Sequence, residues 1–223
     1  MNRAIVLLSG GMDSLVCAAL AIKDNQEVGF LHLDYGQKTS AREKKAFINI
    51  CDFYQIPENK RKIINVSFMK EIGGSSLTDD SISVKDYQGD SKVIPNSYVP
   101  FRNSIILSVA TSWSEVFNAD YLYIGANYED SPGYPDCRPE YYEAFNQVIK
   151  LGTKDGKTEI KTPVIMMKKK EIVELGAKLK VPYELSWSCY RESQSACGNC
   201  DSCALRLRGF KEAGIIDPIS YKN

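Results

Sequence analysis

"IVLLSGGMDSLVCAAL" runs from Ile5 to Leu20, and its reading decides the fold. The apolar run Ala4–Leu8 reads as a buried strand. Ser9-Gly10-Gly11 breaks it, and from Asp13 to Lys23 the residues Leu15, Val16, Ala19, Leu20 and Ile22 recur at helical spacing. Strand, glycine turn and helix make the layout of a phosphate-gripping loop. Glycines let an anion approach the backbone, the first N–H groups of the helix surround its oxygens, and the helix dipole favours negative charge. Ser9 and Ser14 add hydroxyls. The loop lacks the lysine of a Walker loop. It also carries Asp13, whose carboxylate repels phosphate unless it caps the helix or holds Mg²⁺ against the phosphates. Glycine turns of this shape also occur where nothing binds.

Outward from this loop, strands and helices alternate. Val28–Leu33, Lys62–Val66, Tyr121–Ala126 and Ile160–Val164 read as strands. Ala41–Tyr54, Asn103–Phe117, Glu140–Leu151 and Lys168–Leu179 read as helices. The pattern predicts an α/β fold, a Rossmann-like, mostly parallel sheet with helices on both faces. Residues 1–186 would form this domain and 187–223 a small tail packed on it. Ligands of such sheets bind at the carboxyl ends of the strands. The Ser9 turn, the Asp34-Tyr35-Gly36 turn and the Asn127–Pro139 loop should therefore converge. The polar interval Gly73–Pro100 is long enough to be functional or disordered.

The chain has 223 residues, 43% of them hydrophobic, and 28 basic against 28 acidic side chains. A neutral balance does not favour nucleic-acid or membrane binding through a basic surface. No stretch approaches the roughly 20 apolar residues of a membrane span, and the N-terminus does not read as a signal peptide. A cytoplasmic location is expected.

Four of the seven cysteines fall in "CYRESQSACGNCDSC": Cys189, Cys197, Cys200 and Cys203. Clustering of this kind favours a metal over disulfides. Four thiolates suit tetrahedral Zn²⁺ in a closed structural site. An iron–sulfur cluster and redox cysteines are the other readings. The other three, Cys17, Cys51 and Cys137, are scattered, and Cys17 and Cys51 read as core. His32, the one histidine, reads as a satisfied core residue, and Lys168-Lys169-Lys170 as a solvated face. With a single histidine, a nucleophilic triad finds little support.

Two further segments carry polar chemistry. In "YVPFRNSIIL", Tyr98–Leu107, Arg102 and Asn103 open a helix, where an arginine can hold a carboxylate or phosphate bidentately. "YEDSPGYPDCR", Tyr128–Arg138, packs acids, tyrosines and an arginine into a loop that follows a strand, a place where specificity resides.

Ser9–Ser14 resembles the SGG-x-DS loop of the N-type ATP pyrophosphatases. With Asp34-Tyr35-Gly36-Gln37, Ser76-Leu77-Thr78, Val99–Asn103, Gly133–Arg138 and the four cysteines, the chain resembles the 7-cyano-7-deazaguanine synthases over nearly its whole length. Many members have Gln at position 12, an Arg-His pair at 38 and 39, Gly at 101 and a small polar residue at 132. Here Met12, Lys38-Thr39, Phe101 and Pro132 stand. The resemblance implies ATP-dependent conversion of 7-carboxy-7-deazaguanine and ammonia to the nitrile, by a carbon–nitrogen ligase of queuosine biosynthesis. It implies ATP held by Leu8, Ser9, Gly10, Gly11, Met12, Asp13, Ser14, Leu15, Val16, Cys17 and Ala18, with Met12 a spacer whose backbone N–H matters. Ser9, Asp13, Ser14 and Arg102 would serve catalysis. Arg102, Asn103, Asp130, Tyr134, Asp136 and Arg138 would serve the substrate. Cys189, Cys197, Cys200 and Cys203 would bind one Zn²⁺, Mg²⁺ would accompany ATP, and the protein would be a homodimer. Another ATP pyrophosphatase, such as a tRNA-thiolating enzyme with Cys137 as sulfur carrier, is the alternative. A zinc module that binds nucleic acid without ATP is a second.

Overall fold

The computed structural model describes residues 2–89, 93–128 and 134–222. Five strands, β1 (Arg3–Leu7), β2 (Glu27–Asp34), β3 (Arg61–Asn65), β4 (Tyr121–Ile124) and β5 (Glu159–Lys161), form one parallel sheet in the order β3-β2-β1-β4-β5. Helices α1 (Met12–Asp24), α2 (Ser40–Phe53), α3 (Met69–Ile72), α4 (Arg102–Phe117), α5 (Pro139–Gly152), α6 (Lys169–Lys178) and α7 (Asp201–Glu212) connect and follow the strands.

Alternation along β1 fills two cores. Ala4 and Val6 join Leu15, Ala18, Phe47, Ile50 and Val173 on one face. Ile5 and Leu7 join Leu107, Ala110, Leu122 and Ile149 on the other. Successive strand side chains point to opposite faces, so a strand covered on both reads as a continuous apolar run. The strand order reverses direction at β1, between β2 and β4. That switch point opens a crevice at their carboxyl ends.

The tail is fastened by its own chemistry. Trp187, Cys189, Ala196, Cys200, Cys203 and Ile219 form a third cluster that includes Ala46 of α2. Arg206 of α7 is buried and pairs bidentately with Asp217, Nε to Oδ2 at 2.8 Å and Nη2 to Oδ1 at 2.9 Å. Breaking such a pair from one side costs about 3–5 kcal/mol.

Several expectations shift. β4 ends at Ile124 rather than Ala126, and β5 is confined to Glu159–Lys161, with a turn following it. Helix α7 has no counterpart in the sequence reading. Arg206, Arg208, Lys211 and Glu212 interrupt the stripe that Leu205, Gly209 and Phe210 bury. The described part of the Gly73–Pro100 interval is docked. Ser75, Ser76, Leu77 and Thr78 are buried, Lys38 N–H donates to the Leu77 carbonyl at 2.9 Å, and Asp86 forms an antiparallel bridge with Cys200.

Candidate active site

The loop after β1 is held from three sides. Gly10 takes φ +93°, a conformation that side chains disfavour, and an added Cβ would sit 3.0 Å from the Ala46 Cβ. The Trp187 N–H donates to the Gly10 carbonyl at 2.7 Å, and because the peptide is planar this also sets the direction of the Gly11 N–H. Gly11 N–H in turn donates to Ser9 Oγ at 3.2 Å, and Ser9 Oγ lies 3.0 Å from Ser14 Oγ. On the third side, Gly125 follows β4. A Cβ there would lie 2.6 Å from the Ser14 nitrogen, so only glycine lets β4 meet the start of α1.

Gly11 is the N-cap of α1, without a side-chain cap. Asp13 is the second helical residue and does not cap the helix. Its Oδ2 accepts from Lys169 Nζ at 2.6 Å, while its Oδ1 is buried without a partner among the described residues. Lys169 therefore does not belong to a solvated face: its side chain is only 4% exposed. Met12 is buried in the core as well as bordering the cavity. Leu15, Val16, Cys17 and Ala18 face the core rather than the cavity, and the Cys17 thiol, pushed up by burial, donates to the Ile124 carbonyl. Leu8, Ser9, Gly11, Asp13 and Ser14 line the cavity, and Gly10 lies behind it as the anchored residue.

Across the cavity stands Arg102, the first residue of α4. Its Nη1 donates to the Tyr35 hydroxyl at 3.3 Å, and the guanidinium lies over the Tyr35 ring. Burial works against the charge on Arg102, but the surrounding Tyr35, Tyr190, Tyr134 and Asp136 outweigh it and hold the guanidinium above its ordinary value. The preceding Phe101 is left-handed at φ 56°, where the resemblance expects Gly. Asn103 lines the cavity and is tied down, its Nδ2 donating to the Asp136 carbonyl at 2.9 Å. Asp136 is buried behind Asn103, accepting its N–H, and does not line the cavity. Tyr134 lines it and meets Ser97 Oγ at 2.7 Å. Arg138, the N-cap of α5 with extended backbone, is exposed and lies outside the cavity. Asp130 and Gly133 lie outside the described residues.

Tyr35 and Asn127 line the cavity from the two turns expected to converge there, and it also takes residues that sequence reasoning did not select: His32, Glu43, Trp187 and Tyr190. His32 is not fully satisfied. Its Nδ1 lies 3.1 Å from the Leu8 carbonyl, which can only accept, so Nδ1 carries the proton and the buried Nε2 is left without a partner among the described residues. Desolvation holds the imidazole below its ordinary value, against the pull of Glu43. Glu43 accepts from Gln37 Nε2 and Thr39 Oγ1, each at 2.7 Å, which gives Thr39 a role as a brace. Strand ends and tail residues of this kind carry no periodic signal. The carboxyl-end rule pointed toward Tyr35 and Asn127, and no sequence signal pointed toward Glu43, Trp187 or Tyr190.

The thiol sulfurs of Cys189, Cys197, Cys200 and Cys203 lie within 4.8 Å of one another. The N–H groups of Arg191, Glu192 and Cys197 aim at Cys189 Sγ from 3.3–3.4 Å. Hydrogen bonds from the Cys200 and Cys203 thiols, with these N–H groups, depress the Cys189 thiol strongly. Hydrogen bonding to Cys189 and burial push Cys200 up to about 12. Close thiols cannot all ionise unless a cation shares them, so the donor set fits one metal ion.

The chain matches the family model "Queuosine biosynthesis protein QueC" over residues 3–214. It is 57% identical over 221 residues to the 7-cyano-7-deazaguanine synthase of Chloroherpeton thalassium, covering 99% of this chain and 97% of the relative. It is 50% identical over 224 residues to that of Koribacter versatilis, covering 99% and 93%. Among solved structures it resembles a 4-thiouridine synthetase in complex with RNA and bound ATP, with TM-score 0.53, 18% identity, and coverage of 99% of this chain and 47% of the other. It also resembles the U34-tRNA thiolase NcsA of Methanococcus maripaludis with its [4Fe-4S] cluster, with TM-score 0.50, 18% identity, and coverage of 95% and 66%. At that identity the structural likeness speaks for the shared fold alone. With the family model spanning nearly the whole chain and the curated relatives matched from end to end, the chain belongs to the QueC family of queuosine biosynthesis, the 7-cyano-7-deazaguanine synthases.

Proposed function

We propose that the protein is an ATP-dependent carbon–nitrogen ligase that converts 7-carboxy-7-deazaguanine and ammonia into 7-cyano-7-deazaguanine. One observation carries the site assignment: the glycine loop Ser9–Ser14 and the largely enclosed Arg102 face a single cavity. A carboxylate is a poor electrophile. Attack by its oxygen on the α-phosphorus of ATP expels pyrophosphate and yields an acyl adenylate. Ammonia then displaces AMP to give the amide. The amide oxygen attacks the α-phosphorus of a second ATP and expels a second pyrophosphate, and loss of AMP and protons leaves the nitrile.

Backbone N–H groups and the Ser9 and Ser14 hydroxyls receive the departing pyrophosphate, whose charge grows as the bond breaks. Arg102 holds the substrate carboxylate or the α-phosphate, with its planar fork aimed by Tyr35. Tyr134 and Tyr190 supply aromatic walls for the bicyclic base. Asn103 on the cavity wall and Asp136 behind it keep α4 and the Pro135–Cys137 turn together. Mg²⁺ bound to ATP neutralises phosphate charge, and Asp13 Oδ1 fits its coordination.

Zn²⁺ is the metal we assign to the four thiols. A four-iron cluster places each thiolate on a different iron and needs a wider cage than thiols this close together. We divide the chain into an ATP-binding domain, 1–186, and a metal tail, 187–223. As the family resemblance implies, we assign a homodimer, and from the sequence reading a cytoplasmic location.

The test is incubation with Mg-ATP, ammonia and 7-carboxy-7-deazaguanine, followed by mass spectrometry. Nitrile with two AMP per turnover is expected. AMP without nitrile points to another adenylating enzyme, and no AMP overturns the reading.

A further inference from the structure

The phosphate loop contains no cation of its own, yet a pyrophosphate leaving group must be held there. A lysine arrives from 156 residues further along the chain, with Lys169 Nζ standing 2.6 Å from Asp13 Oδ2. It is the first residue of α6, and the fold makes room for it. Asn127 Nδ2 donates to the carbonyls of Val164 and Met167, at 2.8 and 2.7 Å, and so fixes the turn that leads into α6. Gly209 of α7 passes so close that a Cβ there would lie 2.8 Å from the Lys169 Cβ.

The two oxygens of Asp13 have different fates. Oδ2 is taken by Lys169, whereas Oδ1 is buried without a partner among the described residues and belongs to a residue that lines the cavity. A buried acceptor left unmade is expensive, and it marks a place for a cationic or hydrogen-bonding partner. A bare carboxylate in this loop would repel the β and γ phosphates across a few ångströms of partly dry protein.

We propose that Lys169 is a positioning residue of the phosphate loop: it neutralises Asp13 through Oδ2 and leaves Oδ1 facing the divalent cation that accompanies the triphosphate. The loop dispenses with a Walker lysine because its lysine acts on the aspartate rather than on the phosphate. This rests on the ATP reading above.

Mn²⁺·ATP binding, followed by calorimetry and by Mn²⁺ magnetic resonance, tests it, with adenosine as the phosphate-free control. K169M should weaken Mn²⁺·ATP about tenfold or more and leave adenosine affinity within about twofold. K169R, which keeps the charge, should recover most of the loss. In a D13N background, K169M should add less than about twofold, because the two residues act as one unit. Unchanged Mn²⁺·ATP affinity in K169M overturns the proposal. So does an equal loss of ATP and adenosine, which would mean that Lys169 only holds the fold. K169Q, which retains donors to the same pocket, replaces K169M if that variant does not fold. If the unaltered protein binds adenosine but no Mn²⁺·ATP, the ATP reading itself fails, an outcome distinct from failure of the lysine's role.

Discussion

At the scale of single residues, the site is built from groups whose ordinary preferences have been overruled. Phe101 occupies the left-handed region, at a cost of roughly 1–2 kcal/mol for a side chain, so that Arg102 can begin α4 with its guanidinium turned toward Tyr35. The glycine that the family resemblance expects at this position would bear that conformation without the cost. His32 is kept neutral in the folded protein, below its ordinary value of 6.5. An unfolded chain takes up the proton near 6.5, and the folded protein only at lower pH. The unfolded state therefore binds more protons in that window. Stability is full above pH 6.5 and falls as the pH drops toward the folded value, by at most about 1.4 kcal/mol per pH unit. Urea unfolding at pH 7.5 and 5.5 checks this. His32→Gln should lose less stability over that interval than the unaltered protein, and an equal loss in both would show that the histidine does not titrate as its burial requires.

At the scale of elements, the decisive meeting is that of β4 with the first turn of α1. The close approach at Gly125 brings the end of one strand within backbone contact of the loop that follows another, which is how a parallel sheet turns a switch point into a binding crevice. Gly125→Ala should therefore push the two elements apart. We expect ATP affinity to fall about tenfold or more, with the four-thiol site retaining its metal. Calorimetry of ATP binding alongside metal analysis reads both. Gly152, where an added Cβ would meet nothing, serves as the control position, and Gly152→Ala should leave ATP binding unchanged.

At the scale of the molecule, the four-thiol tail and the glycine loop after β1 are one mechanical unit. Trp187 donates its N–H to Gly10, its indole Nε1 donates to the Glu192 carbonyl at 3.0 Å, and the Arg42 guanidinium lies 4.3 Å over its ring. Two residues later stands Cys189, while Arg206 of α7 reaches Ser186 Oγ at 2.8 Å and Ser188 Oγ at 3.3 Å. From the other side, Arg191 donates to Asp86 and to the Val84 carbonyl, each at 2.6 Å, so the tail also pins the segment that precedes α4. Stripping the metal with a thiol-competing chelator should loosen all of these ties. The Trp187 amide should lose hydrogen-exchange protection and ATP affinity should fall, and both should return when Zn²⁺ is added back. Full protection of that amide in the metal-free protein would show that the tail and the loop are independent.

What the sequence determined by itself was whatever a local pattern encodes. Apolar runs and helical spacing specify the alternating elements and hence the parallel sheet. The spacing of Cys197, Cys200 and Cys203 brings thiols to one point, and Ser9–Ser14 with the Gly133–Arg138 string marks the family. Helix α7 escaped this reading because tertiary burial of Arg206 disguises its apolar face as a charged one. Tertiary structure alone decided which side chains meet. Lys169 lies in a run that reads as solvated, and only the packing of α6 beside α1 and α7 turns it onto Asp13. His32 reaches the cavity because a parallel sheet gathers strands that are far apart in the chain, and Trp187 because the tail folds back onto the loop after β1, and no spacing in the sequence records either distance.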